Sequence, residues 1–502
     1  MNKSILSKFL DFVERAGNKL PDPLSLFFIL SALVLVASWV LSSMGLQVTH
    51  PSDGSVIAVQ NLLNASGLQR ILGEMVKNFS GFPPFAVVLV SMLGIGVADK
   101  SGLISASLKK LVTIVPSSLL PATLVFGGIM SNIASDAGYI VLTPLGAVLF
   151  AAFGRHPIAG LTAAFAGVSG GFSANLFLSS LDPLLSGLST KAAQLMDPSY
   201  NVLPTANYYF MMASTLIITV IGTFITTKIV EPRLGAWKGD QGSDKSMTDI
   251  SSGEKKGLVF AALYAFLFFI ILLWLTLPSN AVLRDANDDL KPFYDSIVPL
   301  IMVFFMGAGI VFGLTSGSIK SDKDVNKMLS ESMGGLGSYI VLAFIAAQFV
   351  AYFAWSNIGI VVAINGAGFL KEIGLTGLPL ILSFIVVTAF LNIFMGSASA
   401  KWAIMAPVFV PMFMMLGYSP EVVQNSYRIG DSVTNIISPL LPYFPIIVAF
   451  GRKYKPDLGV GTLVSLMLPY SLAFFLAWTL LFVAWFLLGW PIGPDAPLYY
   501  LK

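Results

Sequence analysis

Residues 394–442 read FMGSASAKWAIMAPVFVPMFMMLGYSPEVVQNSYRIGDSVTNIISPLLP. The run is mostly apolar, yet it carries Lys401, Arg428, Asp431 and Asn435. It is also interrupted by Gly396, Pro407, Gly417, Pro420, Gly430 and Pro439. Charges and helix breakers are costly at membrane depth, where they mark a pathway or a binding site. The stretch therefore predicts an interrupted, charge-bearing helical core inside a membrane protein.

Composition agrees. The chain has 502 residues, of which 56% are hydrophobic and 11% charged, against roughly 25% charged in a soluble domain. Several runs reach the roughly 20 apolar residues needed to cross a hydrocarbon core. The class is all-α and polytopic. No cysteine is present, which removes disulfides and thiolate chemistry. His50 and His156 are the only histidines, too few for a His-based metal site. No nucleic-acid motif or large basic patch is found. The charged, amphipathic start MNKSILSKFLDFVERAGNKLPDP has no small-residue cleavage site, so a signal peptide is not expected.

Charge placement sets an expected topology. Lys3, Lys8, Arg15 and Lys19 put the N-terminus in the cytoplasm. Spans are expected at 24–45 and 82–98, joined by an external loop (46–78) with a short helix, and an interfacial amphipathic helix follows around Lys109 and Lys110. Residues 115–153 hold two apolar halves around the polar centre SNIASDAG (131–138). Each half is short for a full span, so a re-entrant hairpin is expected. A broken helix (157–185), an external segment (186–204) and a span at 206–228 complete a first half, 1–229. The polar stretch 230–257 reads as a cytoplasmic linker. The second half, 258–502, has spans at 258–277, 295–314 and 334–355, a short amphipathic helix (357–372), a hairpin (376–416), a broken helix (420–450) and a last span (462–490), placing the C-terminus in the periplasm. The expectation is nine transmembrane helices plus two re-entrant hairpins. Of the 29 Lys and Arg, this topology puts 20 inside, 7 outside and 2 in the core, as the positive-inside rule requires.

The halves are related by an offset of 263 residues. Pro144 meets Pro407, Gly154 meets Gly417, Pro157 meets Pro420, Gly167 meets Gly430, Ser169 meets Ser432, and Tyr139 meets Trp402. Any one Gly or Pro is ordinarily a kink or a packing residue. Four in register beside two polar tips indicate repeats. The hairpins enter from opposite sides, so the repeats are inverted, with a site between broken helices near the midplane.

The polar residues at these breaks suggest the chemistry. Ser131, Asn132, Ser135 and Asp136 at one tip, and Ser397 and Ser399 at the other, are hard oxygen donors. Asn175, Asp431, Thr434 and Asn435 face them. Together they are candidate Na⁺ ligands, although a single buried Ser or Thr more often only packs or back-bonds. Arg428 and Asp431, three residues apart, share a helical face and can pair. Either that pair is structural, or Asp431 or Asp182 takes a proton or cation while Arg428 binds an anionic substrate group. Lys401 either snorkels or meets an anion. Trp402 either packs or stacks an aromatic ring. Asp99 and Asp197 are expected to be solvated.

The stretches ERAGNKLPDPLSLFF, GRHPIAGLTAAFAGVSGGFSANL, KIVEPRLGAWKGD, GSASAKWAIMAPVFVPMFMMLGYSP, YRIGDS and YKPDLGVGTLVSLMLPY resemble the p-aminobenzoyl-glutamate transporter (AbgT) family, almost end to end. The resemblance implies a homodimer in the bacterial inner membrane with an elevator-type, ion-transporter-like architecture. It implies uptake of p-aminobenzoyl-glutamate, or proton- or cation-coupled export of sulfonamide antimetabolites. It implies a path lined by Asp182, Ser399, Trp402, Pro420, Arg428, Asp431 and Pro439. The expected function is ion-coupled secondary transport of p-aminobenzoate-type aromatic acids without catalysis, using Na⁺ or H⁺ and no organic cofactor. An intramembrane aspartyl protease fits poorly, because RIGDS lacks the Gly-x-Gly-Asp arrangement of such enzymes. A channel fits poorly, because filter repeats and selectivity rings are absent.

Overall fold

Helix formation here follows from long apolar runs whose backbone groups must be satisfied within the segment. The computed structural model describes residues 23–49, 54–113, 115–134, 138–237, 250–438, 441 and 443–500. The basic N-terminal segment, linker residues 238–249, Ser135, Asp136 and Pro439 lie outside the described residues.

The first half contains α1 (Pro23–Ser43), α2 (Ala65–Ser80), α3 (Pro83–Lys100), α4 (Leu103–Thr113), α5 (Leu120–Ser131), α6 (Thr143–Ala152), α7 (Pro157–Phe165), α8 (Leu181–Ala193) and α9 (Tyr208–Ile225). The second contains α10 (Ser252–Thr276), α11 (Ile297–Ser316), α12 (Asp322–Gly334), α13 (Gly337–Trp355), α14 (Ile358–Glu372), α15 (Gly377–Asn392), α16 (Ala398–Met415), α17 (Pro420–Asn435), α18 (Phe444–Arg452) and α19 (Val460–Leu487). Among the described residues, seven helices are long and apolar enough to cross a membrane, or eight if the bent pair α12–α13 forms one span. The set differs from the expected nine: neither broken helix supplies a long apolar span, since Pro157–Gly170 is short and α17 is polar, while Ala398–Met415, expected as one arm of the hairpin 376–416, is by itself long and apolar enough to cross.

Two local expectations are revised. Residues 46–78 hold more than a loop and a short helix. Gln47–Thr49 (β1) and Val56–Ala58 (β2) pair as two antiparallel strands, with Val48 opposite Ile57. The 16-residue α2 follows, N-capped by Asn64, whose Oδ1 accepts from Gly67 N at 2.7 Å. Residues 186–193 are helical, because α8 continues to Ala193 and buries Ser186, Ser189 and Thr190. Packing of α8 against α16 and α3 carries the helix into the stretch expected as an external segment.

The core gathers around α17, which packs on α15, α16, α8 and α19. A second group joins α3, α10 and α11. Of α10, only Gly257 and Ala261 are buried, and Phe260, Leu263, Phe266, Ile270 and Trp274 are exposed. So apolar an exposed face suits lipid.

Positions 263 apart share local geometry. Gly154 and Gly417 both have left-handed φ, +70° and +89°, which glycine adopts without a Cβ penalty. Pro157 and Pro420 each open a helix, where a missing N–H costs nothing. A Cβ on Gly167 would come within 2.2 Å of Val125 O, on α5, and one on Gly430 within 2.5 Å of Ile385 O, on α15. Gly167 and Gly430 thus lie backbone to backbone against α5 and α15.

Gly430→Val should lower stability by about 2–3 kcal/mol through overpacking. Gly368→Ala, where a Cβ meets nothing within 4 Å, should change it by less than about 0.5 kcal/mol. Thermal unfolding in detergent compares the two.

Candidate functional site

Every residue of α17 is buried, although the helix carries Glu421, Gln424, Asn425, Arg428, Asp431 and Asn435. Ser419 caps it, accepting from Val422 N. Buried charges require partners, and α17 finds them on other elements.

The expected Arg428–Asp431 pair does not form. Arg428 Nη1 donates to Asp182 Oδ1 at 2.6 Å, with the two side chains 3% and 1% exposed. Its Nη2 lies 3.4 Å from Ser173 O. Asp182, in the first turn of α8, also accepts from Ser179 N and Oγ at 2.6 and 2.9 Å. Asp431 pairs instead with Lys401, Oδ1 to Nζ at 2.6 Å, both 1% exposed. Lys401 therefore does not snorkel. It also donates to Asn392 Oδ1. Asn392 in turn donates from Nδ2 to Asp431 O, Thr434 Oγ1 and Asn435 Oδ1 at 2.5, 3.0 and 2.8 Å. The reason is geometric. Residues three apart on a helix are neighbours on its surface, but a buried charge takes the donor aimed at it from the packed element. Arg428 thus ties α17 to α8, and Asp431 ties it to the α15–α16 turn.

Trp402, fully buried, lies with its ring centroid 4.5 Å from that of Tyr427. Its Nε1 donates to Ser189 Oγ at 3.0 Å, which donates to Gln424 Oε1 at 2.6 Å. Pro420 is the first residue of α17, and Ser399 lies in the first turn of α16 beside Ser397.

The candidate Na⁺ ligands separate into two groups. Ser131 Oγ donates to Gly128 O, and Asn175 Nδ2 donates to Ile129 O at 3.2 Å. Asn132 lines a cavity of about 220 Å³ with Ser179 and Ser180, and neither of its side-chain polar atoms has a hydrogen-bond partner. Asp431, Thr434 and Asn435 form the second group with Asn392, while Ser397 caps α16, accepting from Ala400 N. Asp431 Oδ2, Ser169 Oγ and Ser173 Oγ are buried without a hydrogen-bond partner. Orphaned hard oxygens suit Na⁺ or a proton donor. No group of three or more His, Cys, Asp or Glu capable of holding a metal exists among the described residues. Asp99 is half-buried at the end of α3. Asp197 is also half-buried, accepting the Tyr500 hydroxyl at 3.0 Å.

The sequence reading passed over Asn392, Tyr427, Gln424, Ser189 and Asn207. Asn392 carried a usable signal, an amide closing an apolar run just before a polar tip. Gln424 and Tyr427 become visible when the spacing of polar residues along 420–435 is followed around the whole helix, whereas Ser189, on α8, and Asn207, just before α9, are brought to it by packing alone.

The sequence profile of the AbgT transporter family matches residues 8–500. The chain is 40% identical over 490 residues to the Escherichia coli p-aminobenzoyl-glutamate transport protein, covering 97% of this chain and 96% of that one. It resembles the solved Neisseria gonorrhoeae MtrF, described as illuminating a class of antimetabolite efflux pumps, with a TM-score of 0.92 and 50% identity over 97% of this chain and all of that one. It also resembles the Alcanivorax borkumensis YdaH transporter, described as having an unusual topology, with a TM-score of 0.90 and 42% identity over 94% of this chain and all of that one.

Lys401→Met should cost about 3–5 kcal/mol by leaving Asp431 buried without its cation. Lys401→Met combined with Asp431→Asn should recover most of that loss, as thermal unfolding of the two variants would show.

Proposed function

The chain belongs to the AbgT transporter family, and we propose that it is an ion-coupled secondary transporter of p-aminobenzoyl-glutamate and related p-aminobenzoate-type acids. The observation that carries this reading is the pair of buried ion pairs on α17, set beside the Trp402–Tyr427 ring pair. The proposed substrate joins an aromatic amine to carboxylates. Its carboxylate would compete with Asp182 for the Arg428 guanidinium. Its ring would be received by Trp402. Ser399, Pro420 and Pro439 would border the path.

The coupling ion, Na⁺ or H⁺, would act at Asp431 or Asp182. Na⁺ would take Asp431, Thr434 and Asn435 in one half, with Ser397 near by, and Ser131, Asn132, Ser135, Asp136 and Asn175 in the other. At Asp431 it would meet the unpartnered Oδ2 beside the Lys401 ammonium on Oδ1, so the ion and Lys401 would compete for one carboxylate.

The architecture we propose has nine spans and two re-entrant hairpins, with inverted repeats 1–229 and 258–502 joined by linker 230–257. The unit containing α5–α9 and α15–α19 would move as an elevator against α3, α10 and α11. The protein would be a homodimer in the bacterial inner membrane, with a cytoplasmic N-terminus and a periplasmic C-terminus. Export of sulfonamide antimetabolites is the second reading. It is favoured by the 50% identity to a protein described among antimetabolite efflux pumps.

Reconstituted protein should move labelled p-aminobenzoyl-glutamate saturably and against its gradient, with Na⁺ and proton gradients collapsed separately to identify the driving ion. Unsaturable, gradient-independent flux would contradict transport. Asp182→Asn and Asp431→Asn should abolish flux at normal expression. Arg428→Lys, which keeps the charge but loses the planar fork, should raise KM about tenfold, equivalent to about 1.4 kcal/mol.

A further inference from the structure

The polar face of α17 does not begin at Arg428. Glu421, Gln424, Arg428, Asp431 and Asn435 recur at spacings of three and four and so share one stripe. Arg428 and Asp431 have partners of opposite charge. Glu421 is as deeply placed, at 3% exposure, yet no Lys or Arg nitrogen lies within 4 Å of its carboxylate among the described residues.

Its surroundings are built rather than accidental. Tyr200 OH donates to Glu421 Oε2 at 2.9 Å. Burial, and then the Glu421 carboxylate, hold the Tyr200 hydroxyl far above its ordinary ionisation range, so it remains a donor. The C-terminal tail closes over this end of the helix. Ser419 N donates to Leu498 O, Ser419 Oγ to Pro497 O, and Tyr500 N to Gly417 O. The Glu421 carbonyl accepts from Asn207 Nδ2 at 3.0 Å, and Asn207 Oδ1 accepts from Gln424 Nε2 at 2.7 Å. Gln424 continues through Ser189 to Trp402. One hydrogen-bonded chain therefore joins the first turn of α17 to the aromatic pair.

The charged groups around it offer no compensation. Asp495, on the tail, is a like charge. Tyr500 stands behind Tyr200 and is bonded to Asp197. Helices α15 and α19 bring no Asp, Glu, Lys or Arg. On α16, Lys401 is committed to Asp431. On α8, Asp182 is committed to Arg428, and Lys191 faces a separate cavity with Glu74 and Lys77. A carboxylate removed from water without a countercharge costs several kcal/mol, and binding a proton removes that cost.

We propose that the Glu421 carboxyl is a proton-binding site of the transport cycle, loaded at the tail-covered end of α17 and felt at Trp402 through Asn207, Gln424 and Ser189. The assignment rests on the transporter reading above. A proton from the aqueous phase converts the carboxylate to the neutral acid. The ionic hydrogen bond from Tyr200 becomes a neutral one, and the cover formed by Tyr200 and the tail is weakened. Release of the proton restores both.

The test is made on the full-length protein in lipid, with two readouts. Infrared difference spectra between acidic and alkaline pH should show the band of a buried neutral carboxylic acid. Glu421→Gln, which preserves shape, should remove it. Tyr200→Phe should keep the band and move its midpoint up by about one pH unit, because a donor to the charged form has been lost. In proteoliposomes loaded with labelled p-aminobenzoyl-glutamate, Glu421→Gln should retain substrate exchange while losing at least tenfold of the stimulation by a proton gradient. A purely structural role would instead reduce exchange and stimulated flux in parallel. An unaltered acid band in Glu421→Gln, or an unaltered proton response, overturns the assignment. If the wild-type protein carries no p-aminobenzoyl-glutamate, the substrate reading fails, and the infrared band still decides Glu421.

Discussion

A sixteen-residue helix buried along its whole length, yet bearing Glu421, Arg428 and Asp431, is the constraint on which the structure turns. A charge in a low-dielectric interior is tolerated only with a partner or a proton. The partners of Arg428 and Asp431 come from α8 and from the α15–α16 turn. Two distant parts of the chain are thereby fixed to one rod. Any movement that exposes α17 must break or exchange those pairs, and in the proposed transport cycle substrate and coupling ion would take their places.

The close approach of backbones makes this arrangement possible. Gly167 and Gly430 let the broken helices lie directly on α5 and α15. At α17, the contact brings Thr388 and Asn392 within reach of Gly430 and Asp431. The prolines and left-handed glycines at 154–157 and 417–420 turn the chain sharply into each broken helix. The same breakers that weaken regular helix create the polar backbone and side-chain positions that the site uses.

Much of this was legible in the sequence. Long apolar runs stand where α1, α10, α11 and α19 form, although α10 begins at Ser252, six residues before the expected span. Gly and Pro marked the breaks, because their backbone effects are local. Asp182, Lys401, Arg428 and Asp431 stood out as costly to bury, and the fold does bury them. Their pairing was not legible. Arg428 and Asp431 are near in sequence, whereas Arg428 and Asp182 are 246 residues apart, and only the packing of α8 on α17 reveals the contact. Glu421 escaped for the same reason. A Glu following a helix-starting Pro looks like an ordinary terminal residue until tertiary packing closes over it. The pairing of β1 with β2, where Asn357 Nδ2 donates to Ala58 O, and the length of α8 likewise depend on neighbours rather than on local composition.

The absence of cysteine makes the central claim, that the polar face of α17 is the transport path, directly measurable. Ser432→Cys places one thiol on α17, where Ser432 Oγ accepts from Ser173 N. Membrane-impermeant thiol reagents are then applied from each side of oriented vesicles, with and without p-aminobenzoyl-glutamate and an imposed ion gradient. The account predicts labelling from one side that shifts to the other when the gradient is reversed, and protection by substrate. A thiol that stays unreactive from both sides during measured flux, or one whose labelling ignores substrate and gradient alike, would contradict it.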